Sequence, residues 1–235
     1  MRDRRPPHDP AFEATKYARG RASVSGDGTV AGYKVYANPQ EFIRLPHARR
    51  TGGVGVWDAL AGLRGGLSEG GVVTQGELAQ VLWATVGMVD AGSRTHAVPA
   101  PTSGLEAYVL AVRVRDLSTG SYHYEPRGHA LEQLATDDPR PGLVSALLDE
   151  SDLDPYAAAL VITGVPARWR TAFGPRTHRL LSLEAGAAAQ TGALAAEALG
   201  LTSRLVACFF DDEVASLLRL DPSAEPALAV VLLGR

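Results

Sequence analysis

Apolar and polar positions change period several times along the chain, and each change marks an element. The stretch TQGELAQVLWATVGMV places Leu78, Val81, Leu82 and Val86 on one face at helical spacing, and Thr74 with Glu77 three residues on predicts a capping box at its start. Just before it, VWDALAGLRGG reads as a short helix ended by glycines. LEAYVLAVRV and GSYHYEP carry the β-branched and aromatic content of two strands, separated by a turn at 117–120. A helix is predicted in HALEQLA, a proline-started helix through LVSALLDE, and an apolar strand in AAALVITGV.

The longest element is THRLLSLEAGAAAQTGALAAEALGL, whose small and apolar residues fall on nearly every side, so a buried helix is expected. The chain then reads as the strand SRLVACFF, the helix DDEVASLLRL with acidic residues at its start, and the strand ALAVVLLGR. Residues 1–55 have no sustained period and are rich in Gly, Pro and Arg. They read as a loosely structured arm in which only GYKVYANP looks ordered, ahead of one domain at 56–235.

Composition narrows the function classes. With 235 residues and 46% hydrophobic content the chain can bury a substantial single core. A formal charge of -3 without a dense Lys/Arg stripe argues against a nucleic-acid groove, which needs clustered cations to displace counterions. Cys208, the single cysteine, excludes an intramolecular disulfide and a cysteine-rich zinc site. It sits in an apolar stretch and reads as a buried small hydrophobe. The six histidines offer no metal site: His123 and His129 flank a turn in a strand-to-helix connection, the others are scattered without helical ligand spacing or neighbouring carboxylates, and all read as structural or solvent-facing. With no apolar signal segment and no stretch long enough to span a bilayer, a cytoplasmic protein without membrane association is the simplest expectation.

Four segments, GELAQVLWA, LEAYVLAVRVRDLSTGSYHYEPRGHALEQL, RTHRLLSLEAGAAAQTGALAAEALGLTSRL and FDDEVASLLRLDPSAEPALAVVLLGR, occur in an order that resembles the nitroreductase superfamily. Within it the likeness is greatest to the SagB-type dehydrogenases, which oxidise azoline rings in modified peptides. The resemblance implies an α+β fold with a central, mostly antiparallel sheet flanked by helices and a long buried Ala-rich helix. It implies a homodimer that holds FMN at the subunit interface, and an oxidoreductase that tailors a peptide or peptide-derived natural product. Loss of several motif residues raises a second expectation, a flavin-free relative serving as a noncatalytic scaffold or partner subunit.

The same resemblance nominates cofactor-binding residues. The family's Arg-Arg-Ser-x-Arg run, suited to a phosphate dianion, aligns with Leu63, Arg64, Gly65, Gly66 and Leu67, where only Arg64 remains. Other candidate cations are Arg176 and Arg179 before the long helix, Arg235 after the last strand, and Arg49 and Arg50, beside which Gly52 and Gly53 leave backbone amides open to an anion. Pro101, Thr102, Ser103 and Gly104 resemble the small-residue loop that lies along the isoalloxazine ring, although here the strand begins about four residues sooner. Ala207, Cys208 and Phe209 match a backbone segment that approaches the ring. Glu184 and Gln190, polar on a mostly apolar helix, each need a partner, whether structural, flavin-proximal or across an interface. Where SagB-type azoline oxidases carry a Lys-Tyr pair, this chain has Ala172 and Phe173, neither of which accepts a proton, so the catalytic residues are left unassigned.

Overall fold

The computed structural model describes residues 10–16, 32–63, 71–90, 92–148 and 156–235. Seven strands form one antiparallel sheet in the order β1-β6-β5-β3-β7-β9-β8. They are β1 (Phe42–Arg44), β3 (Leu105–Ala111), β5 (Gly120–Glu125), β6 (Ala130–Ala135), β7 (Ala158–Gly164), β8 (Thr202–Val206) and β9 (Ala227–Gly234). A separate parallel pair joins β2 (Val73–Thr74) to β4 (Val114–Arg115). The helices are α1 (Pro10–Ala14), α2 (Val56–Gly62), α3 (Gln75–Val86), α4 (Arg140–Ala146), α5 (Arg170–Phe173), α6 (Thr177–Ala198) and α7 (Asp211–Leu217). This is the expected α+β architecture, an antiparallel sheet flanked by helices. None of the helices searched is long and apolar enough to cross a membrane.

Helix α3 begins as its sequence predicts. Thr74 Oγ1 accepts from the Glu77 amide at 3.2 Å, while Glu77 returns a carboxylate to the Thr74 amide at 2.8 Å. Leu78, Val81, Leu82 and Val86 are all buried. This face and one side of α6 cover one side of the sheet, packing on Ala107, Val109, Leu160, Ile162 and Val231. The two helices approach closely where Gly192 faces Thr85, and a side chain at 192 would collide with the threonine hydroxyl. On the opposite side of the sheet α4 and α7 pack on Leu110, Val161, Val230 and Leu232.

Two expectations fail here. HALEQLA is not a helix but β6, paired with β5 across the turn 126–129. Its short mixture of Ala, Leu, Glu and Gln fits either period, and the sheet's demand for a strand between β5 and β1 decides it. Helix α6 is buried on one side only: Leu183 is 61% exposed, and Gly186 and Gln190 also face outward. Within residues 1–55, the short edge strand β1 joins the sheet, and residues 32–36, inside the segment GYKVYANP that is expected to be ordered, pack on it.

Those residues cover a buried polar network. His123 lies on β5 with Glu106 on one neighbouring strand and Glu132 on the other; Nε2 is 3.0 Å from Glu106 and Nδ1 is 2.7 Å from Glu132. Both ring nitrogens therefore face carboxylates, an arrangement that the imidazolium satisfies by donating twice. Arg168 pairs with Glu106, and the Tyr36 amide donates to Glu132 at 3.0 Å. Alongside, Glu225 accepts from Tyr108 and Thr163, each at 2.7 Å, and pairs with Lys34. Three carboxylates thus meet three cations when His123 is protonated. The local sequence around His123 does not show these partners, because strand pairing creates them. The two carboxylates lie on opposite sides of the ring, and no group of three or more metal-ligating residues occurs among the described residues.

Burial alone would lower the His123 pKa, but the hydrogen bonds and charges of Glu106 and Glu132 outweigh it and raise the pKa. Burial likewise opposes ionisation of Glu106, yet His123 and Arg168 hold its pKa below the usual carboxylate value. A raised histidine contributes stability that is complete below its unfolded pKa of about 6.5 and is lost as pH rises through the folded value. A depressed carboxylate contributes stability above its unfolded value of about 4.3 that is lost as pH falls through the folded one. Thermal melts across pH 5 to 9 should show Tm falling on the alkaline side, and His123→Gln should flatten that limb. Glu132→Ala should cost about 3–5 kcal/mol by stranding a buried charge. Identical alkaline limbs in wild type and His123→Gln would refute the protonated assignment.

Candidate functional site

Two places deserve comparison as binding sites: the loop before β3 and a groove on the outer side of α3 and α6. In the loop, Glu184 is fully buried and spends both oxygens inside the protein, accepting from the Gly104 amide and contacting His96 Nε2, each at 3.0 Å. Its structural role is thus met within the chain. The Thr102 carbonyl accepts from the Trp169 indole at 3.0 Å, and the Gly104 carbonyl from the Val165 amide at 2.8 Å. A Cβ at Gly104 would meet Leu181 and Trp169, so glycine is required by close packing against the protein itself. Ser103 is buried, and only Pro101 and, in part, Thr102 remain at the surface. Arg94, largely buried, donates to the carbonyls of Val86 and Gly32 and ties residue 32 beside this loop.

The other nominated residues do not gather there. Arg176 donates to the Thr15 carbonyl at 3.1 Å and Arg179 lies 4.7 Å from the Phe12 ring centroid, so both hold the segment that contains α1. Arg235 is paired with Glu77 of the α3 capping box. Residues 207–209 follow β8 and zip onto the end of α4: Leu147 bridges Phe209, and the Leu148 amide donates to the Cys208 carbonyl at 3.1 Å. Phe209 is buried but Ala207 and Cys208 are exposed, correcting the expectation of a buried thiol. The strand that carries Cys208 in the sequence pattern ends at Val206, so the cysteine escapes the sheet. Gln190 is exposed on α6, and Arg64 lies outside the described residues.

Sheet register separates these groups further. Gly104 adjoins Leu105, which pairs with Gly164, whereas Arg235 follows Gly234, which pairs with Thr202 beyond the opposite ends of the same strands. A seven-residue strand spans about 23 Å, so the loop and Arg235 stand at opposite edges of the sheet.

The groove is a cavity of about 480 Å³, within the range of small-molecule sites. Trp83 and Ala84 of α3 and Leu194 and Ala195 of α6 form apolar walls, and Arg49, Arg50, Gly52 and Gly53 form a polar rim. Gly52 and Gly53 have φ of 100° and 78°, a left-handed backbone that few other residues adopt. Gln80 holds this rim by accepting from the Arg49 amide at 2.7 Å and donating to the Arg49 carbonyl at 3.0 Å. Among the described residues neither Arg49 nor Arg50 has a carboxylate partner. The spacing HARRTGG was the sequence signal for this rim; its meeting with Trp83 and α6 was not readable.

FMN needs donors for a phosphate and an apolar wall for a ring. Within one chain the nominated loop and Arg235 do not fit it, since they lie apart and their polar groups are largely spent on Glu184, Trp169 and Glu77. The groove does fit: two guanidinium groups without carboxylate partners and a glycine turn suit a phosphate, and the walls suit an aromatic ring.

The nitroreductase family model matches residues 70–235. A candidate nitroreductase of Methanocaldococcus jannaschii is 29% identical over 149 residues, which cover 63% of this chain and 75% of that protein. Among solved structures, a candidate nitroreductase of Ralstonia eutropha aligns with a TM-score of 0.71 at 20% identity, covering 91% of this chain and 96% of that one. A chain of the E. coli microcin synthetase McbBCD complex, solved with truncated pro-MccB17 bound, aligns with a TM-score of 0.64 at 24% identity over 74% of this chain and 69% of that one. At these identities the structural likenesses show the fold.

Because Glu184 alone holds the Gly104 amide, Glu184→Ala should cost about 1–3 kcal/mol for each partner stranded in the interior. Hydrogen exchange at the Gly104 amide should accelerate with it; unchanged protection there would show that the loop is held by Trp169 without the carboxylate.

Proposed function

The chain belongs to the nitroreductase family, and from that premise we propose that it is an FMN-dependent oxidoreductase that works as a homodimer, on the SagB-type branch. The observation that carries this reading is the groove beside α6, where Arg49, Arg50 and the Gly52–Gly53 turn meet an apolar wall. Arg49 would hold the phosphate, with the amides of the turn assisting, and Trp83 with Leu194 and Ala195 would flank the ring. When bound, FMN supplies the hydride chemistry, while the protein binds, orients and excludes water.

The dimer is favoured by what lies around the groove. Val54, Val56, Trp57 and Leu60 are exposed on and before α2, with Trp57 80% accessible, and α6 presents Leu183, Gly186 and Gln190 outward. A second copy set on this surface would cover apolar area and close the groove to water. As the family resemblance implies, residues 101–104 of one subunit would lie along the other's cofactor, with the surface side of Pro101 and Thr102 free for that contact. Gln190 and the loop then act across the interface.

For substrate, a peptide or peptide-derived molecule is the reading favoured by analogy with the microcin synthetase chain, an analogy of fold alone. Azoline oxidation with a Lys-Tyr pair is disfavoured: Phe173 packs edge-on to Trp169 at 6.1 Å, and Ala172 offers no base. A second reading, a flavin-free partner subunit, is favoured by the commitment of Arg235 to Glu77 and of the Gly104 amide to Glu184.

The visible spectrum of the purified protein, before and after FMN addition and gel filtration, separates the two. About one flavin retained per subunit is expected, and Arg49→Ala should weaken retention about tenfold or more, the equivalent of a lost charge-assisted hydrogen bond. A colourless protein that also fails to take up FMN overturns the enzyme reading and supports the partner subunit.

A further inference from the structure

A second cavity, of about 360 Å³, adjoins the groove and shares Arg50, Trp83 and Val89 with it. Its remaining wall brings His47, Asp90, Arg127 and His129 together from three separate stretches of chain. Arg50 and Arg127 line this space with a single carboxylate, Asp90, and Arg127 also lines a neighbouring cavity with Tyr33. Asp90 Oδ1 accepts from the amides of Gly92 at 3.0 Å and Ser93 at 2.8 Å, which hold its pKa below the usual value and keep it ionised, so the two guanidinium groups exceed it by one positive charge.

The arginines are not neutralised. Arg50 donates only to the Val89 carbonyl, at 3.3 Å, and the Arg127 guanidinium reaches the Tyr33 hydroxyl at 3.5 Å; among the described residues neither has a carboxylate partner. The Arg127 backbone is held in place by its amide, which donates to Glu125 at 2.9 Å. His129 is a fixed wall rather than a third cation. Its Nε2 must donate to the Pro46 carbonyl at 2.9 Å, which leaves Nδ1 to accept from the Tyr124 hydroxyl at 2.7 Å, so both nitrogens are used by a neutral ring. Met88 and Trp83 line the same cavity and supply apolar surface beside the charges.

We propose that this cavity is the substrate pocket of the adjoining groove and that it recognises a planar organic anion by its carboxylate or phosphate, held between Arg50 and Arg127. Two guanidinium groups suit such oxygens because each offers paired N–H donors in a plane. The anion-binding role stands on the cavity itself; its role as a substrate pocket rests on the oxidoreductase reading above. A peptide's terminal carboxylate and a phosphorylated small molecule share this chemistry, and the choice of probes separates them.

The test is a titration of the purified full chain with benzoate, phenyl phosphate and the neutral benzamide, followed by calorimetry and by tryptophan fluorescence, with Trp83→Phe identifying the signal from the shared wall. Saturable binding of benzoate or phenyl phosphate is expected, with benzamide weaker by about tenfold or more. Arg127→Ala should erase that preference without lowering Tm, because Arg127 is exposed and its backbone contact to Glu125 survives the change. The tighter of the two anions identifies carboxylate or phosphate as the group recognised. Equal affinity for benzamide and benzoate, or an Arg127→Ala protein that binds as wild type, overturns the inference. A protein that takes up FMN but binds neither anion overturns this pocket and leaves the flavin reading standing. One that binds the anions through Arg127 but takes no FMN supports the anion site and overturns the flavin reading.

Discussion

The interaction on which the rest of the structure depends is the burial of both faces of the central sheet. Every residue of β3, β5 and β7 is buried, so the charged and aromatic polar side chains on those strands need partners within the protein, and of the polar groups there only Ser121 Oγ lacks one. On the face covered by α3 and α6 the strands meet this demand with aliphatic side chains and with tyrosines that hydrogen-bond at the sheet margins. On the other face Glu106, His123, Glu132 and Tyr108 meet it with one another and with groups brought from outside the sheet. Arg168 and Glu225 are two of those groups and Lys34 and Tyr36 the others, which explains why a stretch of chain without regular structure is held against the strands.

The same demand organises α6. Its inward face carries alanines that let the helix lie close to α3, and the single carboxylate on that face, Glu184, is given to the loop ahead of β3 and to His96. A polar group that would cost energy in isolation becomes the tie between helix and loop. On its outward face α6 keeps Leu183, Gly186 and Gln190, and here the constraint is absent in one chain. The groove forms along this free side because the positive-φ turn at Gly52 and Gly53 holds the preceding arginines against the helix layer.

The charges in the molecule divide accordingly. Arg94, Arg168, Arg176 and Arg235 are spent on carbonyls or carboxylates that hold segments together, whereas Arg49, Arg50 and Arg127 stand at two adjoining cavities without carboxylate partners among the described residues. Counting cations along the chain does not separate these groups. What distinguishes a structural arginine from a ligand-binding one is whether a fixed acceptor lies within reach, and that depends on which elements become neighbours.

The sequence by itself determined the elements whose signals are local. The capping box of Thr74 and Glu77, the apolar face of α3, the apolar runs of β7 and β9 and the acidic start of α7 all read directly, because each is decided by residues within one or two turns of one another. The order of those elements carried the family resemblance. Only the tertiary structure decided the rest. HALEQLA is a strand because β5 and β1 need one between them. Cys208 is exposed because β8 ends at Val206 and the next residues turn toward α4. His123 gained two carboxylates, and Arg235 was drawn to Glu77, because strand pairing and sheet ends set neighbours that sequence distance hides. The physical reason is the same in each case: burial and pairing are properties of the assembled surface, and no single segment contains both partners.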